Sequence, residues 1–91
     1  MKYVLFYESA PDVAEKAPLY LPAHREYWNA FRRLGTLLML GPFGRPEDGA
    51  LSIFTTREAA ETFATNDPFV LGGVVSRWYV RDWHEVLVQD S

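Results

Sequence analysis

The sequence has no cysteine, and no apolar run in it approaches the roughly 20 residues that a membrane-spanning helix needs. The first absence excludes disulfides and thiolate chemistry, and the second predicts that the protein has no membrane partner. Basic residues are also in the minority, with 9 Lys and Arg against 12 Asp and Glu. The net charge of −3 argues against a nucleic-acid partner, which requires a basic surface.

The amino-terminal stretch MKYVLFYESAP lacks the features of a signal peptide, because it is apolar for only a few residues and has no small-residue cleavage site. It predicts a strand instead, and we therefore expect a cytoplasmic protein. Histidine is scarce too: His24 and His84 are the only two. No H-x-x-E-H or H-E-x-x-H spacing and no phosphate-binding glycine loop occurs, so we predict neither a metal nor a cofactor.

Apolar residues are abundant for so short a chain: 48% of the 91 residues are hydrophobic and 15% are aromatic. A chain of this size buries only roughly 60–65% of its unfolded surface within one domain. We therefore predict a single domain over residues 1–91 that covers further apolar surface by forming a homodimer.

The residue pattern predicts the element order βαββαβ. Strands are predicted at residues 2–8, 36–41, 50–55 and 74–83, and the unbroken apolar run TLLMLG predicts that the second strand is buried. Residues 44–49 form a turn. Residues 84–91 remain as a tail that either extends the last strand or packs on a partner.

Two helices are predicted between these strands. Residues 9–22 contain three prolines and predict a long loop, so the first helix begins at Pro22 and ends at Gly35. Tyr27, Trp28 and Phe31 then fall on its core side. The second helix begins at a capping box with Thr55 as the cap and Glu58 three residues later, and it ends before Pro68.

This order predicts an α+β, ferredoxin-like fold, a four-stranded antiparallel sheet with two helices on one face. The strand directions then bring the start of the first helix, the end of the second strand and the end of the second helix to one edge of the sheet, here called the upper rim. His24, Gly41-Pro42-Phe43 and Asp67 occupy these places. Residues far apart in the sequence therefore converge at the rim, which is the expected site.

The sequence resembles the YCII-related (YciI-like) domain family. The matching parts are the opening strand MKYVLFYE, the PAH before an aromatic-bearing helix, LLMLGPF, NDPFVLGGV and the closing RDW. Residues 1–83 are covered. Departures are Gly72-Gly73, where family members often have Ala-Gly, and Asp82, where they often have Pro.

The resemblance implies a dimeric α+β barrel in which the open faces of two sheets meet. It also implies that His24 and Asp67 form an active-site pair. It implies no defined substrate, although one branch of the family is associated with the elimination of HCl from chlorinated aromatic compounds.

His24 is the first candidate for catalysis, because an imidazole exchanges protons near neutral pH. Close to a helix N-terminus the dipole disfavours its cationic form, which leaves a neutral base. Asp67 is expected to accept the other ring N–H and fix the tautomer. The alternatives are a histidine bonded to a loop carbonyl or solvated, and an aspartate that only bonds its own turn.

The remaining candidates are substrate-binding residues at the same rim: Tyr7, Gly41, Pro42, Phe43, Pro68 and Phe69. Phe43 is equally consistent with a core position, and Tyr7 with an edge or interface position. No serine lies where a Ser–His–Asp triad needs one, because Ser9 is in the predicted loop and Ser52 and Ser76 are in strands.

We therefore predict a small-molecule enzyme that uses His24 as acid or base and Asp67 as its orienting partner. Proton abstraction with elimination or isomerisation fits a single acid–base pair without a nucleophile or metal, and the substrate would be a small aromatic or enol-bearing compound. Two alternatives remain: a non-catalytic module that binds a small ligand in the same pocket, and a structural dimer.

Overall fold

Four strands and three helices follow one another in the computed structural model, which describes residues 1–87. The elements are β1 (Lys2–Ser9), α1 (Val13–Leu34), β2 (Leu37–Pro42), β3 (Ala50–Phe54), α2 (Arg57–Asn66), the single-turn α3 (Pro68–Leu71) and β4 (Val75–Trp83). A short 3-10 turn, Pro46–Asp48, lies between β2 and β3. The part of the predicted tail from residue 88 to 91 lies outside the described residues.

The sheet has the strand order β2-β3-β1-β4, and every neighbouring pair is antiparallel. Leu5 and Tyr7 of β1 pack with Phe54 of β3 and with Phe63 of α2 in the core between the sheet and the helices. The predicted ferredoxin-like α+β fold is therefore confirmed. No helix within residues 1–87 combines the length and apolar character that crossing a membrane would require.

Helix α1 begins at Val13, so the predicted loop over residues 9–22 and the predicted helix start at Pro22 are both wrong. Pro18 and Pro22 lie inside the helix, although each costs about 3 kcal/mol in a helix interior. Packing offsets this cost, because buried Val13 anchors the first turn. His24 consequently lies in the middle of α1, where the helix dipole, which acts only over the terminal turns, has no effect on it.

The other helix ends follow the sequence more closely. Gly35 ends α1 with a φ of 81°, and its N–H donates to the carbonyl of Arg32. The cap of α2 is Thr56 rather than the predicted Thr55, since the Thr56 hydroxyl accepts a 3.1 Å hydrogen bond from the Ala59 N–H. Pro68 ends α2 as predicted and also opens α3, for which Asp67 is the cap.

Strand β2 is not buried as predicted, because it lies at the edge of the sheet. Leu38 and Met39 are 46% and 64% exposed. The pairing of β2 with β3 shifts by one residue between Leu37 and Met39, and Met39 lies beside Ile53. An apolar run therefore does not distinguish a central strand from an edge strand whose outer side chains are left uncovered.

The face of the sheet opposite the helices, here called the open face, is uncovered and largely apolar. Phe6 stacks on Tyr79 there, with ring centroids 5.1 Å apart. This face also has a depression of about 450 Å³, and the residues that line it include Val4, Leu51, Ile53, Arg81 and Trp83.

Candidate functional site

The Asp67 carboxylate is the centre of a hydrogen-bonded cluster at the upper rim. Asp67 lies between α2 and α3 and is completely buried. Its Oδ1 accepts hydrogen bonds from Nδ1 of His24 at 2.8 Å and from the N–H of Phe69 at 3.0 Å. Its Oδ2 accepts one from the Tyr7 hydroxyl at 2.7 Å. Three donors thus compensate for the burial of one carboxylate.

His24 reaches Asp67 from α1, on the opposite side of the cluster. Because a carboxylate only accepts hydrogen bonds, Nδ1 carries the shared proton and Nε2 is left with a free lone pair in the neutral ring. Nε2 has no hydrogen-bond partner within residues 1–87. The imidazole also stacks on the Phe69 ring at 3.8 Å with an interplanar angle of 6°. Asp67 and Phe69 together fix both the tautomer and the plane of the ring.

Tyr7 is the third member of the cluster and comes from β1. Alternate residues of β1 face the helices, so Leu5 and Tyr7 enter the core while Phe6 faces the open side. Burial, and then the neighbouring charge and hydrogen bond of Asp67, raise the pKa of Tyr7 well above its ordinary value. The hydroxyl therefore stays protonated and remains a donor to Asp67.

Tyr27 lies one turn beyond His24 on α1 and responds to the same charge. Burial and then the Asp67 carboxylate raise the pKa of Tyr27 to about 12. Its hydroxyl donates to the carbonyl of Phe63 at 2.9 Å. This bond ties α1 to α2 beside the site.

A cavity of about 320 Å³ opens beside His24 and is here called the His24 cavity. Its walls come from β1, α1, β2, β3, α2 and α3: Tyr7, Leu21, His24, Arg25, Trp28, Leu40, Gly41, Pro42, Ala50, Leu51, Ser52, Phe63 and Phe69. Most of these side chains are apolar or aromatic. His24, Arg25 and Ser52 supply polar groups, and Arg25 is exposed and has no ion-pair partner within residues 1–87.

The model of the YCII-related domain matches residues 1–84. The chain belongs to the YCII-related domain family. This confirms the family resemblance found in the sequence. No curated protein matches the chain.

Among solved structures, the YCII-related chain is similar to 5-chloro-2-hydroxyhydroquinone dehydrochlorinase (TftG) from Burkholderia phenoliruptrix AC1100, determined in complex with 2,5-dihydroxybenzoquinone. The TM-score is 0.76, with 19% sequence identity, and the match covers 94% of this chain and 96% of that chain. At this identity the likeness establishes a common fold.

The structure brings together most of the residues predicted for the site of this YCII-related domain. His24 and Asp67 are in direct contact, and Tyr7, Gly41, Pro42 and Phe69 line the His24 cavity. Phe43 does not reach this cavity and instead lines an adjacent one. Pro68 lines neither, since it forms the first turn of α3.

Sequence reasoning missed several lining residues on α1. Leu21, Arg25 and Trp28 share one side of the helix with His24, at spacings of three and four residues. Leu21 was missed because the helix was expected to begin only at Pro22, and Trp28 was assigned to the core. Arg25 was given no role, although it follows His24 directly in the sequence. Ser52 was assigned to a strand without a role, because no local motif shows that this strand position faces the cavity.

No cluster of three or more histidine, aspartate or glutamate side chains within residues 1–87 is arranged to hold a metal ion. Asp67 has both oxygens occupied by donors from the protein itself. The arrangement instead suits proton transfer at Nε2 of His24, the ring nitrogen that Asp67 leaves free.

Proposed function

We propose that this YCII-related domain is a small-molecule enzyme in which His24 transfers a proton and Asp67 orients it. One observation carries the proposal: His24 Nδ1 lies 2.8 Å from Asp67 Oδ1 at the wall of a 320 Å³ cavity. Ligand cavities in proteins are typically about 300–1,000 Å³ and mostly apolar, with a few fixed polar groups. The His24 cavity has this size and composition.

The proposed reaction begins when Nε2 accepts a proton from an acidic C–H or O–H group of the substrate. The electron pair left behind forms a new double bond and expels a leaving group as an anion, which is an elimination. In an isomerisation, His24 returns the proton to a different carbon. Asp67 stabilises the imidazolium that exists between the two steps.

The substrate class is a small aromatic or enol-bearing compound. Trp28 and Phe69 offer aromatic surface on two sides of the cavity. Tyr7, Gly41 and Pro42 complete the wall as substrate-binding residues. The structural neighbour TftG is named as a dehydrochlorinase of a hydroxyhydroquinone, which supports elimination from a ring of this kind.

A panel of substituted hydroquinones, with and without a chlorine leaving group, tests the proposal. Turnover is followed by ultraviolet absorbance and by chloride release. We expect His24→Asn to lower kcat by about 10²–10⁴-fold, because general acid–base catalysis contributes on this scale. His84→Asn is the matched control, since His84 is exposed and lies outside the His24 cavity.

Two outcomes would overturn the proposal. Turnover that survives His24→Asn would show that His24 transfers no proton. Tight binding that depends on His24, without turnover of any compound in the panel, would instead favour a ligand-binding module. The proposed reaction uses no cofactor or metal, so dialysis against a chelator should leave turnover unchanged.

The open face also supports the homodimer expected from the sequence, and we infer that two copies pair through it. Phe6, Leu51 and Ile53 are half-buried there and present apolar surface that one chain leaves uncovered. Ile53→Lys should shift the protein towards monomers in sedimentation equilibrium, because it places a charge in this surface. An unchanged mass for that variant would contradict pairing through this face.

A further inference from the structure

A second cavity of about 340 Å³ adjoins the His24 cavity and is here called the Phe43 cavity. Tyr7, Leu21, Pro42, Ala50 and Phe69 line both cavities. The two are therefore adjacent compartments of one groove between α1 and the strands. His24, which stacks on Phe69, lies next to their common wall.

Helix α1 runs along the whole groove. Val13, Ala17 and Leu21, at intervals of four residues, line the Phe43 cavity, and Leu21, His24 and Trp28 continue along the His24 cavity. At a rise of 1.5 Å per residue, the 15 steps from Val13 to Trp28 extend over roughly 22 Å. A ligand with its reacting atom at His24 therefore has room on the side of the Phe43 cavity.

The chemistry of the Phe43 cavity differs from that of the His24 cavity, because no charged side chain among residues 1–87 lines it. Its two side-chain hydroxyls are already engaged: Ser9 donates to the carbonyl of Pro46 at 2.6 Å, and Tyr7 donates to Asp67. The rest of the wall is apolar, and Leu21 and Phe43 are 36% and 42% exposed. Such a wall offers an occupant no free side-chain hydrogen-bond donor, so an apolar group that covers the wall gains most from binding there.

We propose that the Phe43 cavity is a second subsite, which takes an apolar substituent of the substrate. The substrate class is thereby narrowed to a ring or enol that carries an alkyl or aryl group, and Ala17 and Phe43 determine how large that group is. Placing the ring beside His24 rests on the proposed function.

Binding of a series of 2-alkylhydroquinones, from hydroquinone to the butyl compound, tests this subsite by anaerobic calorimetry. Each methylene that becomes buried contributes about 0.8 kcal/mol, which corresponds to a roughly fourfold gain in affinity. We expect the affinity to rise along the series by about this factor per carbon. A series with constant affinity would overturn the subsite, and so would the absence of binding by every member.

Ala17→Leu fills the cavity from the helix side and should remove the rise, while leaving the affinity for unsubstituted hydroquinone unchanged. Ala14→Leu is the matched control, because it makes the same change at an exposed position of the same helix. Phe43→Ser removes an apolar wall from outside the helix and should also flatten the series. If Ala17→Leu leaves the rise in affinity along the series intact, the subsite is overturned. A simultaneous change in oligomeric state would show that a second copy of the chain covers the cavity instead.

The series also distinguishes failure of the subsite from failure of the proposed reaction. His24→Asn should lower turnover by the factor given above but leave the rise in affinity, because His24 does not line the Phe43 cavity. A flat series combined with His24-dependent turnover would overturn only the subsite. If affinity rises along the series but no compound is turned over, the subsite stands and the proposed reaction is overturned.

Discussion

The Tyr7 hydroxyl donates a 2.7 Å hydrogen bond to Oδ2 of Asp67, the carboxylate oxygen that His24 does not contact. Strand β1 thus holds one side of the carboxylate, while His24 of α1 and the Phe69 N–H of α3 occupy the other. With both oxygens held, the carboxylate has one orientation. His24 is therefore positioned through Asp67 by Tyr7, a residue with which it shares no hydrogen bond.

Tyr7→Phe removes one of these donors and keeps the ring that fills the core. We expect the free energy of unfolding to fall by about 1–3 kcal/mol, because Oδ2 of a completely buried carboxylate loses its partner. Urea denaturation measures the change. Tyr79→Phe is the control, since Tyr79 lies on the open face and its hydroxyl has no hydrogen bond within residues 1–87. Equal effects for the two variants would contradict a specific role for the Tyr7 hydroxyl.

Asp67→Asn and Asp67→Ala should separate charge from architecture. An amide oxygen still accepts from the Phe69 N–H and from Nδ1 of His24, and its NH₂ group donates to the Tyr7 hydroxyl. We expect Asp67→Asn to keep the histidine tautomer but to lower kcat by at least about 10²-fold, because no anion balances the imidazolium. Asp67→Ala should also cost about 3 kcal/mol or more of stability.

Nitrogen-15 NMR of the imidazole reports the tautomer directly in these two variants. The wild type and Asp67→Asn should both show a protonated Nδ1, whereas Asp67→Ala should show a mixture of tautomers. If Asp67→Asn retains full activity, the charge of Asp67 has no part in the reaction, and the orienting role must be ascribed to hydrogen bonding alone.

The raised pKa values of Tyr7 and Tyr27 predict that the folded protein loses stability at alkaline pH. The pKa of Tyr27 is raised to about 12, and that of Tyr7 is raised further, both chiefly by burial. A raised folded-state pKa stabilises the folded chain fully below the unfolded value of about 10, and this stabilisation is lost as the pH rises through the folded value. In a pH titration, the tyrosinate absorbance of the folded protein should therefore rise at a higher pH than that of the protein unfolded in urea. Coincident curves would contradict the prediction, and Tyr27→Phe should remove the component near pH 12.

The lowered pKa of Glu85 predicts that the folded protein loses stability at acidic pH. Hydrogen bonds from Lys2 at 2.8 Å and from the terminal amine of Met1 lower the pKa of Glu85 to about 2. A lowered pKa stabilises the folded state above about pH 4.5, and this contribution is lost as the pH falls towards 2. The protection of amides at the start of β1, measured against exchange of the unfolded chain at the same pH, should fall over this range in the wild type. Glu85→Gln should already exchange faster at neutral pH, whereas Glu26→Gln, a change on the exposed side of α1, should not.

The contact between His24 and Asp67 was predicted from strand directions, which bring element ends together, although His24 does not lie at an end of α1. The start of α1 could not be predicted. Pro18 and Pro22 disfavour a helix locally, and only contacts with distant residues offset that cost. His24 still lies at the rim, in contact with Asp67, although it is a mid-helix residue. The predicted contact was therefore correct, whereas the reason given from the helix dipole was not.

The exposure of β2 and the two cavities were also beyond reach of the sequence. LLML has the same apolar pattern in a central strand as in an edge strand, and nothing in it indicates the pairing shift beside Leu38. A cavity is the space left between elements from six parts of the chain. Phe43 is an example, because it was predicted at the same rim as His24 but lines the Phe43 cavity and not the His24 cavity.

The members of the cluster lie far apart in the chain: Tyr7 is 60 residues and His24 is 43 residues before Asp67. The cluster therefore cannot form until the chain has been synthesised as far as Phe69. Asp67 also caps α3, so one side chain belongs both to the turn after α2 and to the acid–base pair. No contiguous fragment shorter than about two thirds of the chain contains the pair together with Tyr7. Activity would thus report that this domain has folded completely. A truncated chain would be inactive, and a split chain would be inactive until its two fragments reassemble.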